Sequence, residues 1–362
     1  MPTTKVDGIQ DPSRRGVAAL VATDGRVRFA VLLLLVALPV LASCGDDGDT
    51  SGPSPTLQVS PSPAGTTAET TSSVCAAVPE VLGTVASPDL IEISGLAASR
   101  DKDGVLWAHN DSGDTARVFA IGPSGEHLAA YTLVGAQAID WEDMAIGPGP
   151  ATSADYLYLA DIGDNNAERP EVHVYRVPEP TVPSGGTPEA ADLDAVDKLT
   201  LRYPDHAHDA ETLLVDPRSG DLLIVTKELQ APTSLVFRAP DSVTPEAPYT
   251  LEQVAEIDFK ALQSGVQPPP DAPPLVAGVP HLPTGGDVSP TGNLVAVRTY
   301  GSVWVWDRPD DAPLWEAFAS APCEAPSSIE PQGEAIAFDA DGSGYTTVSE
   351  GANVPIHHFR AQ

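Results

Sequence analysis

Residues 109–114, HNDSGD, put an imidazole, a carboxamide, two carboxylates and a hydroxyl into six positions, directly after the apolar run GVLWA. Asn, Asp, Ser and Gly are turn formers, so the segment reads as a polar turn. At this density of oxygen donors it also reads as a cation or ligand site. Similar clusters recur along the chain: DWED (Asp140, Glu142, Asp143), DIGDNN (Asp161, Asp164, Asn165), HDAE (His208, Asp209, Glu211), TKE (Lys227, Glu228), TGGD (Asp287), QGE (Glu334) and SEG (Glu350). The HNDSGD loop itself offers Asn110, Asp111 and Asp114.

The elements that must hold these loops repeat. An acidic or small residue precedes a short apolar run; a turn and a second apolar run follow. The pattern starts at Ser94, Glu142, Glu211, Thr284 and Glu334. Each second run is followed by a third, such as RVFAIGP, VHVYRVPEP, SLVFRAP, SVWVWDR and PIHHFRA, and often by a fourth. Short antiparallel strands in regularly repeated units predict an all-β chain, a β-propeller of five four-stranded blades. Six blades stay open if the stretch 260–283 hides strands, but QPPPDAPP favours an insertion there. The last unit shows three strands. EVLGTVA (80–86) is expected to supply its outer strand and close the ring, which removes exposed edges.

In such a blade, the loop leading into the innermost strand and the turn between the second and third strands reach the same face. All the acidic clusters therefore map to one ring. Carboxylates so close repel one another, and a hard cation relieves that repulsion. The expected metal ligands are Asn110, Asp111, Glu142, Asp161, Asp164, Glu211 and Glu334, and the expected ion is Ca²⁺. Two other readings stand beside this one: acidic side chains that only cap turns and bind amides between blades, and a His-rich transition-metal site. His208 and Glu211 are the candidates for general-base work. His109 and His208 also read as structural histidines. Lys227 is expected to point at the ring, to pair with Glu211 or to bind an anionic group. Arg298 and Tyr300 match its place in the next unit. Trp141 reads as an aromatic on the face, available to stack on a ligand or to pack between blades.

The chain has 362 residues and a net charge of −32, which excludes nucleic acid as a partner. No G-x-S-x-G, P-loop or H-E-x-x-H motif occurs, so serine-hydrolase, nucleotide and zinc-protease readings lack support. Arg14, Arg15, Arg26 and Arg28 precede FAVLLLLVALPVLAS, a stretch suited to a signal peptide (1–43) rather than a membrane span. It ends in LASC, which resembles the bacterial lipobox and makes Cys44 the lipidated residue. Residues 44–74, rich in Ser, Thr, Pro and Gly, are expected to be a disordered tether. The propeller would occupy 75–362 as a monomer, lipid-anchored on the extracytoplasmic face of the cell membrane. Export predicts a disulfide between Cys75 and Cys323, in place to lock the closing blade.

LWAHNDSGD, DWEDMA, DIGDN, DAETLLVDP and GEAIAF together resemble a group of secreted bacterial propeller proteins, over about residues 90–355. More distantly the chain is similar to calcium-dependent propeller hydrolases of the phytase-like and lactonase or paraoxonase-like kinds. That resemblance implies an acidic calcium site at the channel mouth, with Glu142, Asp161, Asp164, Glu211 and Glu334 as counterparts. Propeller phytases use several basic residues on phosphates, whereas this face offers Lys227 and Arg298. Three functions follow as expectations. The first is a surface lipoprotein that binds Ca²⁺ and, through it, a small ligand or partner. The others are a calcium-dependent esterase, lactonase or phosphoesterase, and an interaction scaffold of the cell envelope.

Overall fold

The computed structural model describes residues 71–183 and 188–362. The signal segment, Cys44 and most of the tether lie outside the described residues. The tether's last four residues do not: they form α1 (Thr71–Val74), with Val74 buried and Thr71 bonded to Asp307.

The chain then runs through β1 (Val78–Thr84) and five small sheets. Blade 1 holds β2 (Ile93–Ala98), β3 (Leu106–Asn110), β4 (Arg117–Ile121) and β5 (His127–Leu133). Blade 2 begins with β6 (Trp141–Pro148), β7 (Asp155–Asp161) and β8 (Val172–Pro178). Its connection sends β9 (Glu189–Leu193) out to pair in parallel with β5, and β10 (Asp197–Arg202) completes the blade. Blade 3 holds β11 (Ala210–Val215), β12 (Leu222–Thr226) and β13 (Ser234–Ala239). β14 (Tyr249–Thr250) pairs in parallel with β10 of the previous blade, and β15 (Glu252–Ile257) is the outer strand. After α2 (Phe259–Leu262) and α3 (Pro274–Gly278) come β16 (Pro283–Val288), β17 (Leu294–Thr299), β18 (Val303–Asp307) and β19 (Cys323–Ala325), forming blade 4. The Pro-rich stretch is thus an insertion. Blade 5 holds β20 (Gly333–Phe338), β21 (Gly344–Ser349) and β22 (Pro355–Arg360), and β1 lies antiparallel to β22. The inner strands β2, β6, β11, β16 and β20 pack each on the next, and β20 packs on β2, so five blades make a ring.

The core sits between blades. Trp107 and Trp141 fill the gap between blades 1 and 2, Tyr158 and Leu213 that between 2 and 3, and Trp304 and Trp306 that between 3 and 4. Phe338 and Tyr345 pack between blades 4 and 5, and Leu96 and Ile356 between 5 and 1. Inner strands are buried along their whole length because both faces meet a neighbouring blade. Trp141, for which the sequence left ligand stacking or packing between blades, is one of these core residues. It is 1% exposed, it donates through Nε1 to the Gln137 carbonyl, and its ring meets His109 edge-on.

Two acidic residues staple the ring from inside. Asp143 on β6 is wholly buried. Its Oδ2 accepts from the amides of Leu213 in blade 3 (2.9 Å) and Gly286 in blade 4 (3.0 Å), and its Oδ1 from Met144 (2.8 Å). Asp287 accepts from Phe338 of blade 5 at 2.7 Å. For these two, the amide-binding reading holds. β16 reaches across the axis to touch β6 and β2. Gly285 and Gly286 let β16 lie close against β20 and its own partner strand β17: a Cβ at Gly285 would lie 2.5 Å from the Glu334 carbonyl, and one at Gly286 2.8 Å from that of Ala296.

Cys75 and Cys323 form a disulfide. Cys323 opens β19, so the bond ties the segment before β1 to the outer strand of blade 4 rather than lying within blade 5.

Asp143→Ala would strand three buried amides and should destabilise the domain by about 3 kcal/mol or more, read as a lowered urea midpoint. Reduction of the disulfide, which closes a loop spanning 248 residues, should cost up to about 5 kcal/mol by the chain-entropy relation, measured in the same titration with and without reductant.

Candidate functional site

Each inner strand carries the same irregularity. Its pairing slips by one residue at Ser94, Glu142, Glu211, Thr284 and Glu334. These are β-bulges, in which one extra residue is left unpaired and its side chain is re-aimed. In three blades that residue is glutamate. Glu142, Glu211 and Glu334 are each under 5% exposed, which places three buried carboxyls around one end of the channel.

Lys227, just after β12, supplies the counter-charge. Its Nζ donates to Glu211 and to the Tyr300 hydroxyl (3.1 Å). Glu211 lifts the Lys227 pKa strongly against the effect of burial, so the ammonium is fixed. Around it the carboxyls are shifted upward. Burial, then the charge of Glu211, raises Glu142 and Glu334 well above the usual range. Burial pushes Glu211 up to about 7, with Lys227 opposing. Glu350, after β21, is pushed up to about 7 by burial and by Asp111 and Glu92. Burial also raises Asp111, Asp140 and Asp209.

The tightest group is Asp111, Asp140 and Glu142. One carboxylate oxygen from each lies within 4.8 Å of the others. Asp111 comes from the turn after β3, Asp140 from the approach to β6, and Glu142 from the bulge at the head of β6. The two kinds of loop do meet on one face. Gly163 lines the gap: a Cβ there would sit 2.0 Å from Glu142 Oε1 and 2.6 Å from Asp140 Oδ2.

Other residues proposed as ligands are already engaged. Asn110 Oδ1 accepts from the amides of Ile91 and Glu92 (both 3.1 Å), and its Nδ2 donates to the Asp89 carbonyl and Asp114 (both 2.7 Å). It clamps the loop before β2 and has no donor atom left for a cation. Asp161 pairs with Arg169 at 2.9 Å and accepts from the Asp140 amide at 3.1 Å. Its buried Oδ2 has no partner. Asp164 Oδ2 accepts from the Arg169 amide at 2.6 Å, and the Asp164 amide donates to Asp209 at 2.8 Å. These two aspartates position the Asp140 and Asp209 loops. One oxygen of Glu334 is buried without a partner.

His208, a candidate base, has both ring nitrogens occupied: Nδ1 by Glu228 (2.8 Å) and Nε2 by Asp205 (3.1 Å). Glu211, the other candidate, is held by Lys227. His109 is wholly buried, with Nδ1 on the Asn110 carbonyl. Arg298 is also withdrawn from the face: it is ion-paired with buried Glu330 and donates to the Ala335 carbonyl. Lys227 and Arg169 are the basic residues among these carboxyls, Lys227 on Glu211 and Arg169 on Asp161. Asp140, Asp209 and Glu350 sat in the clusters legible from sequence, but nothing there ranked them above Asp161. Only the folded geometry does.

Comparison with protein-family models and with curated proteins found no match.

The raised carboxyls set a pH dependence. A carboxyl whose folded pKa lies above its unfolded value binds more protons in the native state, so stability falls as pH rises between the two. For Glu211 and Glu350 that window runs from the ordinary glutamate value of 4.5 to about 7. In chelator, the melting temperature should fall across it, and Glu350→Gln should remove about one proton's share of the slope.

Proposed function

We propose that the acidic mouth is a divalent-cation site, calcium by its donor chemistry, and that the bound ion presents a small ligand or a partner. The observation that carries this reading is the convergence of Asp111, Asp140 and Glu142 within 4.8 Å. Ca²⁺ takes six to eight oxygens in flexible geometry, from carboxylates among others. Eight carboxyls, Asp161 included, gather here around Lys227 and Arg169, and two cations balance two of them. Protons or a bound cation would balance more, and the upward shifts of the buried carboxyls mark that demand. Gly163 keeps the space beside the triad free of a side chain. Exposed Ile91, Ile139, Leu229 and Ile329 flank the loops of this face and supply apolar contact for a ligand.

The hydrolytic reading has less support. A calcium-polarised ester needs a base, and His208 and Glu211 are both engaged by other side chains. The scaffold reading, with a purely structural ring, accounts for Asp143 and Asp287 but not for the triad. The LASC motif supports attachment of this propeller to the outer face of the cell membrane through Cys44. The pairing of β1 with β22, beside the disulfide, supports a role for β1 in closing the ring.

The test is calorimetric titration of Ca²⁺ into the chelator-treated chain, with a melting curve at each end point. Wild type should bind and gain several degrees, through preferential binding to the native state. Glu142→Gln and Gly163→Ala should each weaken binding at least tenfold, and affinity should rise with pH as the carboxyls give up protons. No heat and no shift would sink the proposal.

A further inference from the structure

A second constellation lies on the loop between β10 and β11, in the sequence D-H-A-H. Asp205, His206 and His208 each place one donor atom within 4.8 Å of the others. His208 Nε2 is 3.1 Å from Asp205 Oδ1, and His206 Nδ1 is 3.0 Å from Asp205 Oδ2. The two imidazole centroids are 4.2 Å apart. Donor atoms around a tetrahedral zinc, at about 2.0–2.2 Å from the ion, stand roughly 3.3–3.5 Å apart. The two His–Asp separations, 3.0 and 3.1 Å, are near that spacing, and the three donor atoms all lie within 4.8 Å of one another.

The orientation of His208 is what separates this cluster from a surface ion pair. Its ring is 3% exposed and packs on Tyr203 and Phe237. Glu228 Oε1 lies 2.8 Å from Nδ1. A carboxylate on Nδ1 holds the proton there and turns the Nε2 lone pair outward, the usual support of a metal-binding histidine. That lone pair then faces the Asp205 carboxylate, which is repulsive unless a proton or a metal ion lies between. A proton would satisfy His208 and Asp205 alone. It gives no reason for a second imidazole aimed at the same carboxylate.

We propose that Asp205, His206 and His208 bind a divalent transition-metal ion, zinc by ligand chemistry, with Glu228 orienting His208. Two nitrogens and a carboxylate suit a borderline ion, whereas the all-oxygen mouth suits a hard one. The two sites therefore differ in ion preference. They are also linked in the chain, since His208 is followed by Asp209, which anchors the Asp164 amide at the mouth. Three protein ligands leave a coordination position for water or for a donor atom of whatever the mouth binds.

The experiment uses the untagged, chelator-treated chain, titrated with Zn²⁺ in the calorimeter and with Co²⁺ as a visible-absorption probe. One equivalent should bind, with d–d bands of a low-coordinate nitrogen and oxygen site. His206→Ala changes an exposed side chain and so should leave the melting curve intact while weakening zinc at least tenfold. Glu228→Gln should weaken it about 10–100-fold, the range for loss of an orienting partner. Glu142→Gln should leave zinc affinity unchanged whatever it does to calcium, so the two sites fail independently. No zinc binding, or unchanged affinity in His206→Ala, would mean a protonated histidine pair only. Equal weakening by Glu142→Gln would place the zinc in the mouth. Either result overturns the proposal.

Discussion

A β-bulge repeated at the head of each inner strand is the constraint on which the site depends. Pairing in a sheet alternates side chains between faces, and one extra residue breaks that alternation locally. At Glu142, Glu211 and Glu334 the displaced side chain is a carboxyl. The residues after each bulge return to register and bury themselves between blades. Polar chemistry at the mouth and apolar packing in the blade are thereby separated by a single residue. Without the slip, either the glutamates or the next apolar residues would face the wrong way.

Charge is the second organising factor. Lys227 is the counter-ion around which the glutamates are arranged, and Tyr300 holds it from blade 4. Two of the three N–H donors of its ammonium are taken, by Glu211 and Tyr300. Arg298, Arg169 and Arg117 are spent on Glu330, Asp161 and Asp114. Basic groups on this face serve the architecture, and the unbalanced charge is acidic, which is the electrostatic basis of the cation site proposed above.

Much of this was legible in the sequence. The five-fold recurrence of small or acidic residue, apolar run, turn and apolar run located all five inner strands, and the aligned positions proved to be the bulge residues. The arrival of two kinds of loop on one face followed from strand alternation. What escaped the reading depends on partners distant in sequence. Asn110 looks like a ligand until the amides of Ile91 and Glu92 are seen to occupy it. β9 and β14 are short strands whose parallel pairing is set by the neighbouring blade's free edge, which no local pattern encodes. α1 reads as tether by composition, yet Val74 finds a place in the core between blades 4 and 5.

The interior staples have a consequence for assembly. Asp143 accepts from amides of its own blade, of blade 3 and of blade 4, and Asp287 from blade 5. Those amides lie far apart in sequence, from Met144 to Phe338, so neither buried carboxylate is satisfied until several blades have docked. A ring of separately repeated units is thereby made to fold as one cooperative body.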